Sequence, residues 1–176
     1  SAMCGSFVLM TWYVRMMRST PWNYLYLFIF SGCVGFVVGF IFANYTVQSV
    51  LLVFGLSALL ILALTAYAVC TKADFSGCGA YVLVMLLGLL LLALVAAFVR
   101  GSPVLHRLLG AIGATLFGFI IVYDTQQIFG SAAEAFGGSS RQFEYSIDMC
   151  AFAAWSLYLD FINFFLDLAL LFGDRR

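Results

Sequence analysis

Charge is what this sequence has least of. Asp, Glu, Lys and Arg together make up 9% of its 176 residues, where a soluble domain carries about 25%. The two signs balance at eight each, so nothing suggests a nucleic-acid partner. Histidine occurs once and proline twice, so a multi-histidine metal centre has no material and long helices meet few breaks. The five cysteines form no CxxC pair and read as packing residues in a reducing or lipid environment. Cys70 and Cys78 flank one short loop, where a bridge is open to them but not required. No secretory signal pattern opens the chain. Ser1-Ala-Met-Cys4 runs straight into apolar residues and reads as a helix cut at its start.

Apolar residues are what it has instead, at 65% with a mean hydropathy of +1.09. A soluble fold of this length could not hide that surface, and a bilayer accepts it. The pattern predicts one all-α integral membrane domain over residues 1–176. Its spans are expected at about 4–17 (partial), 24–44, 47–70, 78–99, 108–129 and 147–172. These runs are too long for strands and lack alternation. The connections Arg18–Pro21, Thr71–Asp74, Arg100–Pro103 and Ser131–Arg141 are short and carry turn residues. Gly35 and Gly39, and the series Gly110, Ala114 and Gly118, have the spacing of helix-packing faces. Positive charge does not orient the chain, since Arg15, Arg18, Lys72 and Arg141 on one side balance Arg100, Arg107, Arg175 and Arg176 on the other.

The polar residues inside the spans carry the functional information. A charged group at the bilayer centre costs about 2.5–3.5 kcal/mol on insertion scales, so acids there usually face the bundle interior. Asp124 falls late in the fifth span and Asp160 near the middle of the sixth. Asp160, Asn163 and Asp167 lie within about 60° of one another on a helix, which gives the last span one polar seam. If Asp124 and Asp160 face each other, they share a proton and titrate as a pair. The same pair offers oxygen ligands to a hard cation such as Ca²⁺, though far fewer than the 6–8 of a tight calcium cage. Weak binding suits conduction better than storage. Glu144 and Asp148 read as acids favouring a helix start, and His106 as a solvated loop residue.

Four segments also resemble a known family. Gly118-Phe-Ile-Ile-Val-Tyr-Asp-Thr-Gln-Gln-Ile-Phe129 and Ser156-Leu-Tyr-Leu-Asp-Phe-Ile-Asn-Phe-Phe165 look like the sixth- and seventh-span signatures of the Bax inhibitor-1 family. Pro21-Trp-Asn23 after Arg18, and Thr71-Lys-Ala-Asp-Phe-Ser76, resemble its Lifeguard branch. The resemblance implies a seven-helix transmembrane bundle with the last helix central, of which this chain lacks the first span and part of the second. It implies a pH-sensitive calcium leak channel acting on intracellular calcium and cell death, with Asp124 and Asp160 as the paired aspartates. A family arginine that locks the pair maps near Arg15 or Arg18. The expected setting is an endomembrane (endoplasmic reticulum or Golgi) or the plasma membrane. Lipid, Ca²⁺, H⁺ and cell-death regulatory membrane proteins are the expected partners, with no tightly bound cofactor.

The rival functions are weaker. Presenilin-type proteases also use two intramembrane aspartates, but need Gly-x-Gly-Asp at the second, and here Leu157-Tyr-Leu precedes Asp160. No Gly-x-Ser-Gly motif supports a rhomboid protease. The expectation is therefore not an enzyme. A non-conducting interaction protein that regulates apoptosis and a proton-coupled transporter remain as alternatives.

Overall fold

A computed structural model describes residues 22–71, 73, 75–99, 102–135 and 150–174. Among them the regular structure is helical: α1 (Trp22–Phe42), α2 (Val47–Cys70), α3 (Gly79–Phe98), α4 (Pro103–Ala135) and α5 (Cys150–Phe172), with a 3₁₀ turn at Ser76–Cys78 before α3. In a bilayer the backbone must satisfy its own hydrogen bonds, and these apolar runs do so locally. Four helices are long and apolar enough to cross a membrane, at Val47–Cys70, Gly79–Phe98, Pro103–Phe129 and Ala153–Phe172. The apolar stretch of α1 is shorter, Leu27–Phe42. The protein is an integral membrane helix bundle.

Helix α4 begins five residues before the expected start at Leu108. Ser102 supplies the reason: its Oγ accepts the Leu105 N–H (3.4 Å), an N-cap bond, and Pro103 follows at the first helical position, where a missing N–H costs nothing. His106, expected in a solvated loop, therefore lies in the first turn of α4, half-buried, with Nδ1 3.0 Å from the Ser102 carbonyl. At the other end α4 continues past Phe129 to Ala135, into residues expected to form a loop.

Helices α4 and α5 share the largest interface, α2 lies against both, and α3 packs on α4. Among the described residues α1 meets α5 in a much smaller contact. The central cluster joins Val53 of α2, Ala114 and Ile121 of α4, and Phe164, Leu168 and Ala169 of α5. A second cluster sets Val82 of α3 against Leu116 and Ile120 of α4. The outward faces carry large exposed apolar residues, including Phe28, Phe36 and Phe40 on α1 and Tyr81 and Phe98 on α3. Water would not tolerate that surface, and lipid does. The expected GxxxG face of α1 is among these open surfaces: nothing described approaches a β-carbon placed at Gly35 or Gly39. The packing series on α4 is used, since Gly110 meets the α5 backbone, Ala114 is buried, and Gly118 contacts Leu64 and Phe164. Cys33, Cys70 and Cys78 are free thiols, so the optional bridge between Cys70 and Cys78 does not form.

The far end of α5 is clasped to the turn between α1 and α2. The Thr46 N–H donates to the Asp174 carbonyl (3.1 Å), and the Asp174 N–H donates to Ser49 Oγ (2.8 Å). Phe42 stacks on Phe165 with ring centroids 4.7 Å apart. The clasp fixes how far α5 slides along the bundle, and so the level at which Asp160 sits.

Candidate intramembrane carboxyl pair

Helix α4 runs toward the end of the bundle from which α5 returns, so the two are antiparallel neighbours. That arrangement brings Asp124, two-thirds of the way along α4, opposite Asp160, near the middle of α5. Their carboxyl groups lie within hydrogen-bonding reach of each other. The Ser156 hydroxyl, one turn before Asp160, lies between the Asp124 carboxyl and the Ala153 carbonyl, 3.3 Å from the latter. Asp160 is buried and Asp124 half-buried, with buried Thr125 beside it. Asp160 Oδ2 is enclosed and finds no hydrogen-bond partner among the described residues.

Two carboxyls in contact need a proton or a cation between them. With the Ser156 hydroxyl they supply oxygen ligands only, the set preferred by hard cations, and leave most of a calcium shell to water or carbonyls. Among the described residues no group of three or more His, Cys, Asp or Glu side chains forms a metal cage.

The rest of the expected polar seam does not join this pair. Asn163 donates Nδ2 to the Leu159 carbonyl of its own helix (2.9 Å). Asp167 lies two turns from Asp160, against Gly113 of α4, with Oδ2 enclosed and no hydrogen-bond partner among the described residues. The candidate locking residues Arg15 and Arg18 lie outside the described residues, as do Glu144 and Asp148.

Two further polar residues carry hydrogen bonds here, Ser156 beside the pair and Gln126 on the opposite face of α4. Ser156 had a legible signal in its i−4 spacing from Asp160. Gln126 had one too, because an amide in a span is costly unless bonded. Its Nε2 donates to the Ala73 carbonyl (2.9 Å) and its Oε1 accepts the Phe75 N–H (3.0 Å).

Comparison with known proteins places this geometry in context. The family described as inhibitor of apoptosis-promoting Bax1 matches residues 1–176. Protein lifeguard 3 of Homo sapiens is 29% identical over 162 residues, covering 90% of this chain and 49% of the relative. Inner membrane protein YbhL of Escherichia coli (strain K12) is 34% identical over 150 residues, covering 84% and 62%. An uncharacterized protein of Borreliella burgdorferi is 32% identical over 148 residues, covering 84% and 62%. The chain thus spans between about half and 62% of the length of these relatives.

Proposed function

Since the chain belongs to the Bax inhibitor-1 family of membrane proteins, we propose that it works as a pH-sensitive calcium leak that bears on intracellular calcium and cell death, with Asp124 and Asp160 as its ion site. The observation that carries this reading is the contact between two carboxyl groups from neighbouring helices inside the span. A proton shared by the pair leaves it one negative charge, holds the two carboxyls together and closes the place to cations. A divalent cation can replace that proton, because it neutralises both carboxylates at once. Protons and Ca²⁺ then compete for one place, and flux follows pH. Few protein ligands mean weak binding, which lets an ion leave again. Arg15 or Arg18 would serve as a charge that pairs with the acids in a closed state. Ca²⁺ is cargo in this scheme and no cofactor takes part. The reading assigns the chain no enzymatic step, and places it in an endomembrane or the plasma membrane.

The test is calcium flux into liposomes from about pH 5 to 8, comparing the protein with Asp124→Asn and Asp160→Asn. Each variant keeps the side-chain shape and removes one titrating group. Flux should change and its pH dependence flatten in both, because a single carboxylate has no partner to split its titration. Unchanged pH dependence in both, with the protein correctly inserted, overturns the mechanism. Absence of flux from the unaltered protein supports the rival, a non-conducting membrane protein that acts on apoptosis through its partners.

A further inference from the structure

Asp124 and Gln126 stand two residues apart on α4, about 160° from one another around the helix. Asp124 faces α5. Gln126 faces the connection between α2 and α3, and its whole amide is engaged there. Oε1 accepts the Phe75 N–H (3.0 Å), while Nε2 donates to the Ala73 carbonyl (2.9 Å) and the Ala68 carbonyl (3.4 Å). Phe75 also meets Phe119 edge-on, with centroids 5.7 Å apart, and Phe119 lies on the Gln126 face of α4 two turns earlier. The adjoining face is held as well. Gln127 donates to the Tyr123 hydroxyl, and that hydroxyl lies where a β-carbon on Gly79, at the start of α3, would come within 2.9 Å of it.

We infer that Gln126 is a positioning residue: it sets the rotation of α4 about its own axis and so keeps the Asp124 carboxyl turned onto Asp160. The functional consequence rests on the ion-site reading above; the structural one rests on geometry alone. Apolar neighbours such as Ile120 and Ile121 hold α4 by contact, which tolerates sliding. Hydrogen bonds are directional and weaken steeply when misaligned. Turning α4 by the 100° of a single residue would carry Asp124 off the α5 face. It would also strip the Phe75 N–H and two carbonyls of their partner, at Phe75 and Ala68 in partly buried positions. Glutamine suits this place because its amide both donates and accepts. Glutamate keeps only the acceptor, and leucine keeps neither.

The test reads geometry and function separately. Asp124→Cys and Asp160→Cys are combined in a chain whose native cysteines are replaced, and disulfide formation in lipid bilayers is timed under copper phenanthroline. Adding Gln126→Leu should slow the reaction about fivefold or more, the equivalent of roughly one lost hydrogen bond. Gln126→Glu should slow it less, and it decides the matter if the leucine variant fails to insert. With the native acids in place, Gln126→Leu should flatten the pH profile of calcium flux, and Gln126→Glu should retain more of it. An unchanged disulfide rate in the inserted variant overturns the inference, whatever the flux. If the rate falls while the unaltered protein carries no calcium, the positioning role stands and the leak reading fails.

Discussion

Gly113 of α4 lies so close to the carboxyl group of Asp167 on α5 that a β-carbon at Gly113 would overlap it. One turn away, a β-carbon at Gly110 would come within 2.7 Å of the Asp167 main-chain carbonyl and 3.0 Å of the Leu171 nitrogen. These two glycines hold the backbones of α4 and α5 at close approach. Helices in a bilayer gain little from the hydrophobic effect on associating, so tight backbone packing carries much of their attraction. The contact that places Asp124 opposite Asp160 is therefore anchored about three to four turns away, at Gly113 and Gly110.

Gly113→Ala should destabilise the bundle by about 1–3 kcal/mol, the usual cost of overpacking. Thermal unfolding in detergent micelles measures it. Asp167→Ala in the same chain should restore part of the loss, because it vacates the space the new methyl group needs. A double-mutant cycle with no coupling would show that the two residues do not compete for that space.

Gly35→Ala and Gly39→Ala should behave differently. Both face open space among the described residues, so stability should stay within about 0.5 kcal/mol of the starting protein, as for surface substitutions in general. The same unfolding assay decides it. A loss as large as that of Gly113→Ala would mean that a helix covers this face of α1.

The contrast between those glycines shows where the sequence could be read and where it could not. Helix content followed from apolar runs too long for strands, and the acids were legible because charge in a bilayer is costly. Spacing alone could not say which small-residue face is occupied. Gly35 and Gly39 have the packing signature and stand open, while Gly113, outside the i, i+4 series, makes the closest approach. The α4 start was missed for a physical reason: Ser102-Pro103 has the composition of a turn, yet it also suits an N-cap followed by a first helical residue. The role of Gln126 depends on a connection more than 50 residues away in sequence, which no local pattern encodes.

The clasp at the far end of α5 should be graded in strength. Ser49→Ala removes one hydrogen bond to the Asp174 N–H, worth about 0.5–1.5 kcal/mol. Gly173→Ala should cost more, because its β-carbon would overlap the Tyr45 ring and the Ala169 carbonyl. Hydrogen exchange at the Thr46 amide reads both variants, because neither removes its acceptor, the Asp174 carbonyl. Faster exchange in Ser49→Ala than in Gly173→Ala would reverse the ranking.

Asp167 is the internal control for the carboxyl pair. It shares a helix face with Asp160 but stands two turns away, about 10 Å along the axis. Asn163, between them, has given its amide to its own helix. Phe164 of α5 and Phe117 of α4 belong to the apolar packing of this interface and separate the two levels. Ions or protons held at Asp160 therefore have no polar bridge to Asp167 among the described residues. Asp167→Asn should leave the shape of the pH profile of calcium flux intact, while Asp124→Asn and Asp160→Asn flatten it. Liposome flux with all three variants, each checked for insertion, makes the comparison. Should Asp167→Asn flatten the profile as strongly as the other two, the polar groups of α5 act as one continuous path, and the division between Asp160 and Asp167 is wrong.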